Sequence, residues 1–299
     1  MTEAHVVEVS AGVFAYIQPD GSWYINNTGF VAGRTGVVSI DTCSTARRTS
    51  AFLAAVRSVT TAPVRTLVNT HHHGDHTYGN CLLPGATIVA HERCREEVLA
   101  AGPPANRGLF SAVEWGDLPV AAPFLTFTEG VTLWVDDLRC EVRYVGRAAH
   151  TSNDSIVFIP SRSVLFCGDL LFAGGMPFLL MGSVAGAVDV LENVLRPLSA
   201  AVIVPGHGPV SGPSLLDDVL EYLRFVQSLA ADGFAAGLSP LETARSASLG
   251  AFGSLLDAER IVGNLHVAFA ELGGPPVDVM AAFADMIAYN GGRPLSCHA

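Results

Sequence analysis

The sequence predicts an α/β protein whose strands form two facing layers with helices outside. Three observations point there. Short β-rich runs alternate with amphipathic helical stretches in the first 100 residues. The same alternation returns between about residues 125 and 204, and a helical tail follows. The chain of 299 residues is 49% hydrophobic and 15% charged, enough to bury a large core and too apolar for a disordered protein.

Taken in order, residues 13–17, 29–32 and 37–40 read as strands, with Gly, Asp and Asn turns between them. Residues 42–59 read as a helix with Phe52, Leu53 and Val56 on one face and Ser44 or Thr45 as its N-cap. A strand at 64–68 leads into a histidine-rich loop. A strand at 86–90, a helix at about 92–100 and a Pro/Gly-bearing connection come next. Strands are expected at 125–128, 131–135, 138–145, 155–159 and 164–167, a helix from Ser183 to about Leu195, and a strand at 201–204. From Pro213 onward the spacing is helical. Leu216, Val219, Leu220 and Leu223 share one face, and Ile261, Val262, Leu265 and Phe269 share another. The expected division is 1–212 for the catalytic unit and 213–299 for a helical extension packed on it.

Charge and cysteine usage narrow the function classes. The net charge is −11, which disfavours nucleic-acid binding. Every one of the 17 basic residues is arginine, the mark of a GC-rich genome such as an actinobacterium's. Residues 1–10 carry two glutamates and no signal-peptide core. Two runs without Asp, Glu or Arg, at 170–188 and 197–216, approach membrane-spanning length, but glycines and prolines interrupt both. The expected location is the cytoplasm. The six scattered cysteines, without a C-x-x-C pair, read as reduced thiols.

The chemistry concentrates after the strand at 64–68, in Asn69-Thr70-His71-His72-His73-Gly74-Asp75-His76-Thr77. Imidazole and carboxylate are the ligands zinc takes when thiolate is absent. In an extended loop, residues two apart face the same way, so His71 and His73 can share one ion while Asp75 and His76 aim at a second. His72 should point away. More donors stand at expected strand ends: His150 in Gly146-Arg147-Ala148-Ala149-His150, Asp169 in Cys167-Gly168-Asp169, and His207 in Pro205-Gly206-His207-Gly208. The remaining histidines, His5, His91, His266 and His298, read as structural.

His-x-His-x-Asp-His, then a distant His, then Gly-Asp, then Gly-His-Gly, resembles the metallo-β-lactamase superfamily in ligand order. That resemblance covers about residues 12–210. It implies an αββα sandwich of two mixed β-sheets with outer helices and a dinuclear zinc site at one edge. One ion would take His71, His73 and His150; the other would take Asp75, His76 and His207; Asp169 would bridge. Asp41, in Ile40-Asp41-Thr42, would support the metal loop without binding metal. Two Zn²⁺ are the expected cofactors, with Fe or Mn compatible with the same donors. Such ions polarise a carbonyl and bring the pKa of a shared water to about 7. Asp75 would orient that water and carry its proton.

Longer phrases, Ser22-Trp23-Tyr24-Ile25-Asn26-Asn27, Pro177-Phe178-Leu179-Leu180-Met181-Gly182-Ser183 and Tyr289-Asn290-Gly291-Gly292-Arg293-Pro294-Leu295, are similar to the actinobacterial aromatic polyketide cyclases of the actinorhodin type. This implies ring closure and thioester hydrolysis on an aromatic polyketide carried by an acyl carrier protein, in antibiotic biosynthesis. Trp23, Tyr24, Phe178, Leu179 and Met181 are the expected substrate-pocket residues. Two other readings stand beside it: a general metallo-hydrolase of small thioesters or lactones, and a metal-holding scaffold without catalysis. No nucleic acid or membrane is expected as a partner, and a homo-oligomer is compatible with the sequence.

Overall fold

The computed structural model describes residues 3–299; Met1 and Thr2, the start of the segment read above for a signal, lie outside the described residues. Twelve strands form two sheets, as the alternation predicts. The first sheet runs in sequence order: β1 (His5–Ser10), β2 (Val13–Ile17), β3 (Thr28–Ala32), β4 (Val37–Ile40), β5 (Val64–Val68), β6 (Thr87–His91) and β7 (Leu125–Phe127). The second contains β8 (Gly130–Val135), β9 (Leu138–Tyr144), β10 (Ser155–Ile159), β11 (Val164–Phe166) and β12 (Val202–Val204), in the order β12-β11-β10-β9-β8. β1 is absent from the sequence reading. It is an edge strand, paired only with β2 and partly exposed, so its apolar alternation is weak.

Alternation sorts each strand's side chains between two cores. Val157 and Ile159 of β10 point between the sheets, where they join Val31, Val68, Val89, Val142, Phe166 and Val204. Ile156 and Phe158 point the other way and pack under the outer helices with Leu165 and Ile203. On the far side of the first sheet, Phe52 and Val56 of α1 (Ala46–Val59) cover Tyr16, Phe30 and Val37. The N-cap of α1 is Thr45, whose side chain accepts from the Arg48 N–H, the second of the two expected capping residues.

The remaining helices are α2 (Gly74–Thr77), α3 (Glu92–Ala101), α4 (Val184–Val190), α5 (Ser214–Ala235), α6 (Pro240–Ser246), α7 (Arg260–Glu271) and α8 (Val279–Tyr289). α4 stops short of the expected Leu195; residues Leu191–Leu195 continue with a wider, π-type winding. In the extension, Leu216, Val219, Leu220 and Leu223 of α5 and Ile261, Val262, Leu265 and Phe269 of α7 are buried, on the faces their spacing predicts. No helix among the described residues is long and apolar enough to cross a membrane.

Strand direction positions the site. β4 and β5 are parallel, with Ile40 opposite Val68, so Asp41 and the loop after Val68 leave the sheet side by side. β11 and β12 are also parallel, with Phe166 opposite Val204. Asp169 and His207 each lie three residues beyond that matched pair. Open α/β sheets expose their ligand-binding crevices at such carboxyl ends. Backbone bonds then join the two rims, Ser155 N–H donating to Thr70 C=O at 2.8 Å and Asn27 N–H to Gly206 C=O at 2.6 Å, while Gly206 N–H donates to Gly168 C=O at 2.7 Å within the second rim.

Candidate metal centre

The structure brings all seven predicted donors together in two buried groups. His71, His73, His150 and Asp169 form one; Asp75, His76, His207 and Asp169 form the other, with ligand atoms in each group within 4.8 Å of one another. In the first, the His73 Nδ1 sits 3.2 Å from His71 Nε2 and 2.8 Å from His150 Nε2. In the second, His207 Nε2 lies 3.2 Å from Asp75 Oδ2 and 3.4 Å from Asp169 Oδ2. Asp169 faces both groups: its Oδ2 is 3.5 Å from His150 Nε2, and its Oδ1 is 3.0 Å from His76 Nε2.

Local hydrogen bonds turn each ring so that one nitrogen points inward. His150 Nδ1–H donates to Phe178 C=O at 2.5 Å and His207 Nδ1–H to Gly21 C=O at 3.0 Å, so that Nε2 of each faces the other donors. His76 Nδ1 meets Asp41 Oδ2 at 2.8 Å. Asp41 also accepts from the Thr70 N–H and hydroxyl, each at 2.7 Å, so it braces the start of the loop and one of its ligands together. Asp41 thus lies beside the candidate donors and outside both groups. Gly206 is required here, because a Cβ would fall on Asp169 Oδ1.

Electrostatics divide the two groups. Burial, then the neighbouring His76, pushes the His71 pKa well below its ordinary value, and burial with His150 does the same to His73. Both are neutral imidazoles with lone pairs to give. In the second group burial opposes charge, but carboxylates outweigh it. Asp169, with Asp41 and Asp75, raises His76, and Asp169 with Asp75 raises His207 to about 9. Against the same burial, His207 and His76 hold Asp169 well below the carboxylate range. His76 Nε2 and Asp169 Oδ1 are buried and face each other at 3.0 Å without hydrogen-bond geometry, and neither has another hydrogen-bond partner. Burying polar atoms unpaired is costly, and a divalent cation satisfies them. The donor set therefore fits two metal ions.

The other histidines divide as expected. His72 turns away from both groups toward Asn153 Nδ2 at 3.0 Å, and burial lowers its pKa to about 4. His91 Nδ1 caps α3 by accepting from the Arg93 N–H at 3.2 Å, and His266 pairs with Asp285 at 2.9 Å.

A cavity of about 280 Å³ adjoins the centre, reaching His73 and Gly74 and walled by Tyr24, Phe110, Trp115 and Phe283 among others. A smaller space of about 80 Å³ connects Trp23, Tyr24 and Phe178 to Asp75, Asp169 and His207. Of the expected pocket residues, Trp23, Tyr24, Phe178 and Met181 line one or both spaces. Leu179 corrects that expectation: it lines neither, because its N–H is tied to Asn264 Oδ1 at 2.9 Å and its side chain packs in the core. Phe110, Trp115, Tyr78 and Phe283 were not foreseen. The first two lie in the 102–123 connection and Phe283 on α8. Arg260, on α7, is likewise buried beside the centre, paired with Asp257 at 2.7 Å and stacked on Trp23 at 4.1 Å.

Comparison with known proteins agrees with the geometry. A family model described as the metallo-beta-lactamase superfamily matches residues 21–207, more than half of the chain. A hydroxyacylglutathione hydrolase of Thermosynechococcus vestitus is 33% identical over 137 residues, 46% of this chain and 46% of that protein. The chain thus spans about half the length of that relative. A hydroxyacylglutathione hydrolase of Rhodospirillum rubrum is 28% identical over 222 residues, 72% of this chain and 76% of the relative. Among solved structures, a metallo-beta-lactamase from Pontibacter korlensis superposes with a TM-score of 0.63 at 21% identity, covering 74% of this chain and 99% of that one. At that identity the likeness is one of fold.

Proposed function

The chain belongs to the metallo-β-lactamase superfamily, and from that premise we propose that it is a metal-dependent hydrolase of thioesters with a bulky, aromatic acyl group. The cavity of about 280 Å³ with aromatic walls, opening on His73, carries this reading. The relatives named hydroxyacylglutathione hydrolase support thioester chemistry. Glutathione itself fits poorly. Its two carboxylates need cations; the arginines of the C-terminal helices are engaged, Arg224 with Glu192, Arg245 with the Ala288 carbonyl and Arg260 with Asp257, which leaves Arg107 as the one arginine lining the larger cavity. A different thiol carrier is proposed.

His71, His73 and His150 would hold one ion, Asp75, His76 and His207 the other, and Asp169 both; zinc is the proposed metal. When bound, the ions supply Lewis acidity at the carbonyl and acidify water at neutral pH. The chain does the rest. Burial opposes ionisation of Asp75, but His76 and His207 outweigh it and lower its pKa, so it stands as a carboxylate able to accept a hydrogen bond from the attacking water and orient it. Trp23, Phe178 and Phe283 exclude solvent and seat the acyl group.

A second reading keeps the same site and adds ring closure: an aromatic polyketide on an acyl carrier protein, cyclised as it is released. The aromatic lining on both sides of the opening favours it. One experiment separates the two. The zinc-loaded protein is incubated with a monocyclic aromatic β-ketoacyl thioester, and products are weighed by mass spectrometry, with and without chelator. Free acid formed only with metal supports the hydrolase. A product lacking both water and thiol supports the cyclase. Equal turnover after chelation rejects both.

A further inference from the structure

Tyr24 stands in a conformation that its own size disfavours. The Ile25 N–H donates to Ser22 C=O at 2.9 Å, closing a turn with Tyr24 at its third position. The Tyr24 φ is 62°, the left-handed region where such turns place glycine or asparagine and a bulky side chain is strained. Strain of this kind persists where the surroundings hold it, often to aim a functional group. Here the ring is held edge-on by Phe110 at 5.2 Å and Trp115 at 5.1 Å. It lines both the aromatic cavity and the smaller space shared with Asp75, Asp169 and His207.

Trp115 also touches Tyr78, at 5.7 Å and nearly perpendicular. The Tyr78 ring lies across Gly74, where a Cβ would collide with it, and it faces the same cavity. The Trp23 indole beside Tyr24 donates to Glu259, and the Tyr78 carbonyl accepts from Cys81, but neither phenol hydroxyl hydrogen-bonds to a described residue. Two tyrosines whose hydroxyls have no hydrogen-bond partner among the described residues therefore line a largely apolar cavity that reaches His73.

We propose that Tyr24 and Tyr78 form a donor pair that reads an oxygen on the acyl group, selecting keto- or hydroxy-acyl thioesters over hydrocarbons of the same shape. The inference rests on the thioesterase reading above. Its physical basis is that a site built to hydrogen-bond an oxygen rejects the analogue that leaves its donors unpaired.

The test uses N-acetylcysteamine thioesters of 3-oxo-3-phenylpropanoic acid and 3-phenylpropanoic acid with the zinc-loaded protein. The ketone is expected to be preferred in kcat/KM by about tenfold, one hydrogen bond's worth. Tyr24→Phe and Tyr78→Phe should each reduce that ratio several-fold, with zinc content and melting temperature retained. Comparing variants isolates the phenols from any contact of the ketone with metal. A second readout needs no turnover: the corresponding amides, titrated by tryptophan fluorescence, should show the same gap in Kd and its narrowing in Tyr24→Phe. A wild-type ratio near one, or a ratio that Tyr24→Phe leaves unchanged, overturns the donor pair. No hydrolysis of either thioester, with the ketone amide still bound more tightly and Tyr24→Phe narrowing the gap, would instead reject the thioesterase reading and leave the donor pair standing.

Discussion

The metal centre and the larger cavity beside it meet at His73, yet they are built by opposite rules. The centre takes its donors from turns at strand ends, and three of its rings are aimed by a named partner: Phe178 for His150, Gly21 for His207, Asp41 for His76. The cavity takes its walls from stretches remote in the chain: Tyr24, the 102–123 connection, Met181 and α8. Donors must be the right atom at the right place. Walls need only apolar volume, which several residues can supply. One region therefore resists change, while the other can be reshaped for a new acyl group without disturbing the chemistry.

The sharpest way to break this contrast is Asp169→Ala. Both groups lose a donor at once, so metal content by elemental analysis should fall well below two ions per chain. Thioester hydrolysis should fall by about a thousandfold or more, the scale of Lewis-acid stabilisation. Full metal content in that variant would show that Asp169 holds neither ion. Asp41→Ala should be milder, lowering metal affinity by about 10–100-fold, because it orients His76 without binding metal. Affinity measured by competition with a chromogenic chelator checks this; an unchanged value would make Asp41 a fold residue only.

Metal uptake should also depend on pH. In the metal-free protein the pKa of His207 is raised to about 9, so near pH 7 it carries a proton that an incoming ion must displace. Affinity should rise with pH between 6 and 9, by up to about tenfold per pH unit for one displaced proton, with acid released on binding. Calorimetry in buffers of different ionisation enthalpy measures that proton directly. Uptake independent of pH would mean that His207 is already neutral.

The smallest effect on chemistry is expected in the cavity. Phe283 packs against Phe110 at 6.0 Å and Phe178 at 6.2 Å. Phe283→Ala should raise KM several-fold for a bulky aromatic thioester and leave metal content and acetyl-thioester turnover near wild type. Losing a buried ring should still cost about 3 kcal/mol of stability. Loss of metal in this variant would show that the cavity wall also holds the donors in place, through Phe178 and its contact with His150.

The sequence determined by itself what local chemistry dictates. Strand ends at Ile40, Val68 and Val204, a cap at Ser44 or Thr45 and the apolar faces of α5 and α7 follow from periodicity and capping, and the structure selects Thr45. The seven donors and Asp41 follow from residue types that a protein seldom gathers without a purpose, and their order in the chain matches a known family. The fold gathers those donors into the two groups that the family resemblance implies, with Asp169 turned to both. It also turned Leu179 into the core and brought Trp115 and Phe283 to the cavity. Tyr24, named among the pocket residues, owes its strained aim to packing between Phe110 and Trp115. The physical reason is degeneracy: an imidazole at a strand end has few roles, whereas an aromatic residue has many, and which neighbour it meets is settled by packing across distant parts of the chain.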